Sequence, residues 1–353
     1  MSETSSGSTI LVTGCGGFLG REVCRQLCQR GDRVVGLARG DYPALDALGV
    51  RRVRGDLADP RFVQDVFAAG ESETASSFGP IDAVVHSAAV AGVWGSRDYF
   101  FRNNVLATRN LLLACQAAGV GKFVFTSSPS VTFGGDHQQG VDESEPYPET
   151  YWCAYPETKA IAERDVLAAD DRDGMRTLSL RPHLIWGPGD PHLFPRVVEK
   201  ARSGKLKIVG DGTNRVDTVH VVNAAAAHLD ALDALDRDAQ RAAGRAYFIS
   251  EGQPVELWPW IAEICEMYGV PAPRSRVSYR VARAAGAILE RVYRLTGRPS
   301  EPPMTRFVAA QLAKDHYFDI SAARDRLGYH VRLDFVTAKE MLARDVASKR
   351  QGV

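Results

Sequence analysis

The chain has 353 residues, and its 43 lysines and arginines balance 43 aspartates and glutamates, so its formal net charge is zero. Hydrophobic residues make up 45% and charged residues 24%, which excludes a disordered or collagen-like chain. The charge balance argues against a nucleic-acid-binding protein, although it permits a local basic surface. A chain of this length accommodates about two domains.

The sequence contains no recognisable export or membrane signal. Residues 1–9 are polar and rich in Ser and Thr, without the basic and apolar segments of a signal peptide. No apolar run approaches the roughly 18 residues that span a bilayer. The cysteines lack the spacing of a metal site or a disulfide framework. We therefore expect a cytoplasmic protein with reduced cysteines, no transmembrane span and no metal.

Short apolar segments alternate with helical patterns through the first half of the chain. Strands are predicted at 10–13, 33–37, 51–54, 81–85, 122–126 and 177–180, and helices at 18–29 and 98–118, the second being the longest. Strands that are apolar throughout are buried on both faces, and their alternation with helices favours right-handed crossovers. This pattern predicts an α/β fold with a Rossmann-type, doubly wound parallel sheet.

The pattern becomes looser after about residue 186, with helices predicted at 221–235, 256–268, 279–295 and 335–347. We predict a dinucleotide-binding Rossmann domain over 1–185. Residues 186–353 then form a smaller, discontinuous substrate-binding region, from which some elements return to the first domain.

A glycine-rich turn follows the first strand and opens the first helix. Gly14, Gly17 and Gly20 have the spacing GxxGxxG, which permits a tight turn, close approach of a pyrophosphate and close helix–strand packing. Free amides at the helix start favour phosphate binding. Within a βαβ unit this turn predicts a dinucleotide site.

The end of the second strand indicates which cofactor binds. An NAD site places an acid there to accept from the ribose 2′-hydroxyl, whereas this strand ends in Ala38 and Arg39. A guanidinium suits a 2′-phosphate, so we predict NADP(H), although Asp41 lies two positions further on. Asp56, after the third strand, is placed to accept from the adenine amino group or to cap the next helix.

A tyrosine and a lysine lie one helical turn apart on a predicted helix that begins near Pro156. Tyr155 and Lys159 project from the same face, and an ammonium beside a phenol lowers the phenol pKa toward neutrality. Ser127 and Ser128 follow the fifth strand, where hydroxyls face the ligand crevice. Because side chains alternate along an extended chain, only one of the two serines is expected to face the substrate.

These motifs resemble the extended short-chain dehydrogenase/reductases and, within them, the 3β-hydroxysteroid dehydrogenase family. The resemblance covers nearly the whole chain and rests on ordered segments at 13–20, 86–89, 104–112, 127–128, 155–159, 180–190 and 210–212. It implies that Tyr155 is the acid/base, that Lys159 binds the nicotinamide ribose, and that Ser128, with Ser127 as the alternative, orients the carbonyl. One departure is Asn223, which stands where the family usually has an acid.

The cofactor is accordingly expected to contact Gly14, Gly17, Phe18, Leu19, Gly20, Arg39, Asp56, Leu57, Ala88, Asn104, Lys159 and Pro182.

Segments 125–131, 181–186 and 317–320 further resemble the reductases of bacterial long-chain olefin biosynthesis. That likeness implies NADPH-dependent reduction of a 2-alkyl-3-oxoalkanoic acid to the 3-hydroxy acid, in a hydrophobic tunnel with a cation near the carboxylate. The alternatives are a sterol or 3β-hydroxysteroid dehydrogenase, an NAD-dependent sugar-nucleotide epimerase, and a non-catalytic NADP-sensing scaffold. Arg181, His183 and His192 are candidates for the carboxylate, although a structural role fits each of them better.

Residues 274–298 form a basic amphipathic helix in which arginines alternate with apolar side chains. Such a helix serves as an ordinary solvated surface, a substrate lid, or a docking site for a membrane or protein partner. The candidate protein partners are a second copy of this chain and a pathway enzyme.

Overall fold

The computed structural model describes residues 7–71 and 78–351. Its strands are β1 (Thr9–Thr13), β2 (Arg33–Ala38), β3 (Arg51–Arg54), β4 (Ala83–His86), β5 (Lys122–Thr126), β6 (Gln138–Val141), β7 (Arg176–Pro182), β8 (Ile185–Trp186), β9 (Ile208–Val209), β10 (Arg215–Val216), β11 (Val219–His220), β12 (Ala246–Ile249), β13 (Val255–Glu256), β14 (Arg276–Val277) and β15 (His316–Phe318). Its α-helices are α1 (Phe18–Arg30), α2 (Pro60–Glu71), α3 (Arg97–Phe100), α4 (Ala107–Ala117), α5 (Ala154–Ala168), α6 (Leu193–Arg202), α7 (Val221–Ala242), α8 (Leu257–Met267), α9 (Tyr279–Leu295), α10 (Arg306–Ala313) and α11 (Phe335–Gln351).

A seven-stranded sheet organises the first half of the chain. Its strand order is β12-β7-β5-β4-β1-β2-β3, and every neighbouring pair is parallel. β1 and β4 are buried at every position, as expected for strands covered on both faces. The predicted doubly wound α/β fold is confirmed.

Helices cover both faces of this sheet. Ile10 and Val12 of β1 pack in one core with α1 and α7, whereas Leu11, which points the other way, packs with α2, α4 and α5. Successive side chains of β1 therefore belong to two hydrophobic cores, one on each face of the sheet.

Two elements from the second half of the chain return to the large sheet. β12 pairs with β7 as an edge strand, and α7 packs against α1. The sequence did not predict β12. α7 contains a kink at Asp238, whose backbone is not helical, so its regular part ends close to the predicted 221–235. The segment at 98–118, predicted as the longest helix, is helical from Arg97 to Ala117. That segment is α3 and α4 joined by a π-helical turn, Phe101–Leu106.

The remaining elements form a second core beside the carboxyl ends of the large sheet. A four-stranded sheet of order β13-β10-β15-β6 lies here. Trp186, Phe194, Trp260 and Leu342 belong to a cluster that involves α6, α8 and α11.

None of the helices among the described residues combines the length and apolarity needed to cross a bilayer. The site described next lies where β1, β4, β5 and β7 end.

Candidate active site

The glycine turn after β1 has the geometry of a phosphate cradle. Gly14 has φ +70, and a Cβ there would lie 2.8 Å from the amide nitrogen of Ala88, just after β4. A Cβ on Gly20 would lie 2.2 Å from the carbonyl oxygen of Gly14. Gly17 precedes α1 without a side-chain cap, so the first amides of the helix, at Phe18 and Leu19, lack a side-chain acceptor. These features fit a dinucleotide whose diphosphate accepts from those amides.

Arginines surround the end of β2. Arg39 donates to the Asn103 side chain at 3.0 Å, and Arg54 donates to the Arg39 carbonyl oxygen at 3.0 Å. Asp41 forms a salt bridge with Arg52. Arg39 and Arg54 form no salt bridge with any described residue, so this rim offers unneutralised positive charge beside a small pocket that Gly40 and Tyr42 line.

Asp56 lies at the same rim, in a turn rather than a helix cap. One carboxylate oxygen accepts from the Ala58 amide at 3.0 Å and the other from Arg102 at 2.8 Å, while Asp59 caps α2. Burial opposes ionisation of Asp56, but these donors outweigh it and leave its pKa below the ordinary value. Leu57 is buried next to it, and its carbonyl oxygen accepts from Asn110 at 3.0 Å.

Asn104 lies in the π-helical turn, which is often found at functional sites. Its side chain accepts from the Val90 amide at 2.8 Å and donates to the Thr158 hydroxyl at 3.1 Å. Asn104 therefore ties the loop after β4 to α5, the helix that carries Tyr155 and Lys159.

Lys159 is deeply buried, with 2% of its surface exposed. Its Nζ donates to the Thr126 carbonyl oxygen at 2.6 Å and lies 3.9 Å from the centre of the Phe125 ring. Burial lowers the pKa of Lys159 to about 7, although the Glu163 carboxylate opposes that shift.

Tyr155 and Ser128 line one small cavity of about 170 Å³, together with Pro182. Burial raises the pKa of the Tyr155 phenol, and a hydrogen bond with Ser128 opposes that shift only in part. The sequence led us to expect a pKa lowered by Lys159, but that amine is engaged by Thr126. The Ser128 hydroxyl also lies 2.9 Å from that of Ser130.

Ser127 lies on the other side of the strand end, next to Glu163. Burial opposes ionisation of Glu163, but Arg181 and, to a smaller extent, Ser127 leave the pKa of that carboxyl below its ordinary value. Glu163 is fully buried and accepts from Arg181 at 2.7 Å, Tyr147 at 2.7 Å and Ser179 at 2.7 Å. Arg181 is only 3% exposed, so it is a buried structural cation and does not line the small cavity.

A histidine pair in the small cavity escaped the sequence analysis. Nε2 of His183, after β7, lies 2.6 Å from Nδ1 of His316 in β15. The sequence indicates His183 by itself, and no local signal connects it to a residue 133 positions away. The pairing depends on β15 lying beside β6, a long-range contact.

Two larger spaces adjoin the small cavity. An apolar cavity of about 620 Å³ is lined by Leu193, Val197, Ile261 and other aliphatic side chains, with His192 and Lys200 also present. A cleft of about 860 Å³ lies beside α9 and is lined by Trp94, Trp152 and Tyr293 among others. Phe307 lines all three spaces.

The sequence pattern that defines the 3-beta hydroxysteroid dehydrogenase/isomerase family matches residues 11–279. The chain belongs to this family. It is therefore an oxidoreductase, and the predicted family membership is confirmed.

Two bacterial members are similar over nearly their whole length. A 2-alkyl-3-oxoalkanoate reductase from Stenotrophomonas maltophilia is 45% identical over 323 residues, which cover 91% of this chain and 94% of that protein. A 2-alkyl-3-oxoalkanoate reductase from Shewanella oneidensis is 44% identical over 328 residues, covering 91% of this chain and 82% of that protein.

A solved structure, MoeE5 in complex with UDP-glucose and NAD, has a TM-score of 0.70 at 25% identity, covering 98% of this chain and 100% of that one. Together with the family, this likeness supports a nicotinamide cofactor for this chain.

Proposed function

We propose that this protein reduces the 3-oxo group of a long-chain 2-alkyl-3-oxoalkanoic acid with NADPH and forms the 2-alkyl-3-hydroxyalkanoic acid. The proposal rests on the three adjoining spaces that Phe307 lines. The substrate has a small polar head and two alkyl chains, and the small cavity with Ser128 and Tyr155 adjoins two larger spaces. The names of the two bacterial relatives support the same substrate class.

In this proposal the head of the substrate occupies the small cavity and its oxo group accepts from Ser128 and Tyr155. Tyr155 keeps its proton because burial raises the pKa of its phenol, and it donates that proton to the oxygen during reduction. The bound cofactor supplies the hydride. Phe133, Phe307 and Phe318 line the cavity and exclude water from the reacting oxygen.

The two chains are assigned to the two larger spaces. One chain fills the apolar cavity between α6, α8 and α10, and the other follows the cleft beside α9. A polar sugar nucleotide would leave the aliphatic lining of the apolar cavity unused, which favours the lipid substrate.

The test is an absorbance assay of cofactor turnover with four substrates. Since β-oxo acids lose carbon dioxide on standing, the assay starts from the stable 2-alkyl-3-hydroxyalkanoic acid and NADP⁺, beside a 3β-hydroxysteroid, a 4-carboxysterol and UDP-glucose. We expect turnover of the hydroxy acid and its loss in Tyr155→Phe, which still binds NADP(H). Preferential turnover of a sterol or of UDP-glucose would overturn the proposal, as would an active Tyr155→Phe variant.

We further propose that the cofactor is NADP(H) rather than NAD(H). The unneutralised guanidinium groups of Arg39 and Arg54 at the end of β2 support this, since a 2′-phosphate carries negative charge that they can pair with.

All six cysteines are free thiols, which supports the predicted cytoplasmic location.

Finally, we propose that α9 rests on an anionic membrane surface. Val281, Ile288, Val292 and Leu295 recur at helical spacing and are exposed, Leu295 by 78%. Arginines flank this stripe, and Glu290, the one acid in 274–298, is buried against Arg306. Lipid headgroups complement that charge, and the cleft for one alkyl chain lies beside the same helix.

Co-sedimentation with vesicles tests the α9 surface. We expect binding to phosphatidylglycerol vesicles, weak binding to phosphatidylcholine, and loss of binding in Ile288→Ser/Leu295→Ser. Leu113→Ser, at another exposed leucine, serves as the matched control. Equal binding by all three proteins would contradict the proposal, and so would a dimer that the double substitution dissociates.

A further inference from the structure

The small cavity contains no side chain with a permanent positive charge. Its lining consists of Ser128, Pro129, Ser130, Phe133, Gln138, Tyr155, Pro182, His183, Leu184, Phe307, Gln311, His316 and Phe318. Neither lysine nor arginine is among these described residues. A 2-alkyl-3-oxoalkanoate nevertheless carries its carboxylate one carbon away from the oxo carbon, and a buried carboxylate requires a paired charge or proton.

The hydrogen bonds of the histidine pair have one possible direction when both rings are neutral. Nε2 of His316 lies 2.8 Å from the Gln311 carbonyl oxygen, which can only accept, so Nε2 carries the hydrogen. Nδ1 of His316 is then an acceptor, and Nε2 of His183, 2.6 Å away, must donate to it. Nδ1 of His183 is left as a bare lone pair, with no hydrogen-bond partner within the described part of the chain.

We propose that Nδ1 of His183 is the carboxyl-binding group of this site, holding one proton between itself and the carboxyl group of the substrate. The inference rests on the proposed function and deepens it, since it states how the acid is recognised. The ring is anchored at Nε2, and His183, Ser128 and Tyr155 share one cavity of about 170 Å³. A substrate whose oxo group accepts from Ser128 and Tyr155 therefore brings its neighbouring carboxyl group beside His183.

Burial keeps both histidine rings neutral when no substrate is bound. Burial lowers the pKa of His316 to about 4 and that of His183 well below its ordinary value. The carboxylates nearby have partners of their own. Asp315 pairs with His137, and Asp217 accepts from the Phe318 amide at 2.9 Å. The substrate arrives as a carboxylate, so the proton that it shares with Nδ1 is taken up from solvent, while Tyr155 keeps its own.

The positively charged side chains that line the apolar cavity are the alternative binding site for the substrate carboxylate. Their contacts and positions argue against that assignment. Arg196 forms a salt bridge with Glu301, and Lys200 Nζ lies 3.5 Å from the Pro303 carbonyl oxygen. Lys205 and Lys207 line the apolar cavity as well, and none of these four residues lines the cavity that contains Tyr155. A carboxylate bound by them would leave the oxo group away from Ser128 and Tyr155.

The experiment compares a 2-alkyl-3-hydroxyalkanoic acid with its primary amide, which has the same shape but no ionisable group. Turnover with NADP⁺ is measured for wild type, His183→Asn and His137→Asn, the last at an exposed histidine that contacts Asp315. His183→Asn should lower the ratio of kcat/KM for the acid over that for the amide by about 30-fold or more, as for a truncated buried charge pair. His137→Asn should keep the wild-type ratio.

Proton uptake gives a second measurement that does not depend on turnover. Calorimetric titration at pH 8 in buffers of different ionisation enthalpy should show about one proton taken up per acid bound and none per amide. His316→Gln, which removes the acceptor that orients His183, should reduce the uptake while circular dichroism and NADP(H) binding show an intact fold.

Two results would overturn the inference while leaving the proposed function intact: an equal loss of acid and amide turnover in His183→Asn, or acid binding without proton uptake. Failure of wild type to turn over either compound would refute the proposed function itself.

Discussion

The Lys159 amine lies between the Phe125 ring, 3.9 Å away, and the Thr126 carbonyl oxygen, 2.6 Å away, and only 2% of the residue is exposed. Burial lowers the pKa of Lys159 from 10.5 to about 7. Between these two values the unfolded chain binds a proton that the folded chain does not, so this residue costs stability as pH falls from 10 toward 7. Lys159 therefore destabilises the fold at neutral pH.

Lys159→Met should accordingly abolish activity yet stabilise the fold relative to wild type at pH 7. Its advantage should shrink by roughly 1 kcal/mol for each pH unit as pH rises from 7.5 to 9, because the wild-type penalty fades. Urea unfolding of the cofactor-free proteins at several pH values measures this difference. Lys349→Met, at an exposed lysine, should show a flat difference. A flat difference for Lys159→Met as well would show that the amine stays charged in the fold.

Arg39 should determine the preference for NADPH. Loss of its guanidinium removes a charge-assisted contact with the 2′-phosphate, so Arg39→Ala should raise the KM for NADPH about tenfold to hundredfold. The KM for NADH, which lacks that phosphate, should change little. Steady-state kinetics with both cofactors measures the split. Arg33→Ala, at the other end of β2, is the control. Equal losses for both cofactors would mean that Arg39 only supports the loop.

The buried pair of Glu163 and Arg181 should dominate local stability. Glu163→Gln leaves the Arg181 guanidinium buried without its charge partner, which should cost about 3–5 kcal/mol of unfolding free energy. Asp165→Asn removes the surface partner of Arg109 and should cost at most about 1 kcal/mol. Urea unfolding of both variants makes the comparison. Similar costs would show that water reaches Glu163.

The sequence was informative wherever function and fold depend on neighbours along the chain. The glycine turn, the Tyr155 and Lys159 spacing and the bounds of α9 are local patterns, and α9 begins and ends where predicted. The wider basic segment 274–298 is not one helix, because Arg276–Val277 forms β14. Asn223 illustrates the limit. The sequence left its role open, and the structure shows its buried amide donating to Glu251 and Leu333 and accepting from the Arg332 amide. Those partners lie far from it in sequence, as β12 lies far from β7 and His316 from His183, so local pattern could not reveal them.

Buried histidines should make the protein sensitive to acid. Burial lowers the pKa of His86 to about 3, those of three others to about 4, and that of His183 well below the ordinary value of 6.5; the three others are His220, His228 and His316. Below pH 6.5 the unfolded chain binds protons that the fold excludes, so stability falls as pH falls toward 4.

Each such histidine contributes up to about 1.4 kcal/mol per pH unit within that window, and Asp217, whose pKa is raised to about 6, opposes them in part. We therefore expect the urea midpoint to fall steeply between pH 6.5 and 5. Removing one of these groups in His86→Asn should reduce the slope by about one proton. His330→Asn, at an exposed histidine, should leave the slope unchanged. A midpoint independent of pH in wild type would show that these rings are already protonated or hydrated in the fold.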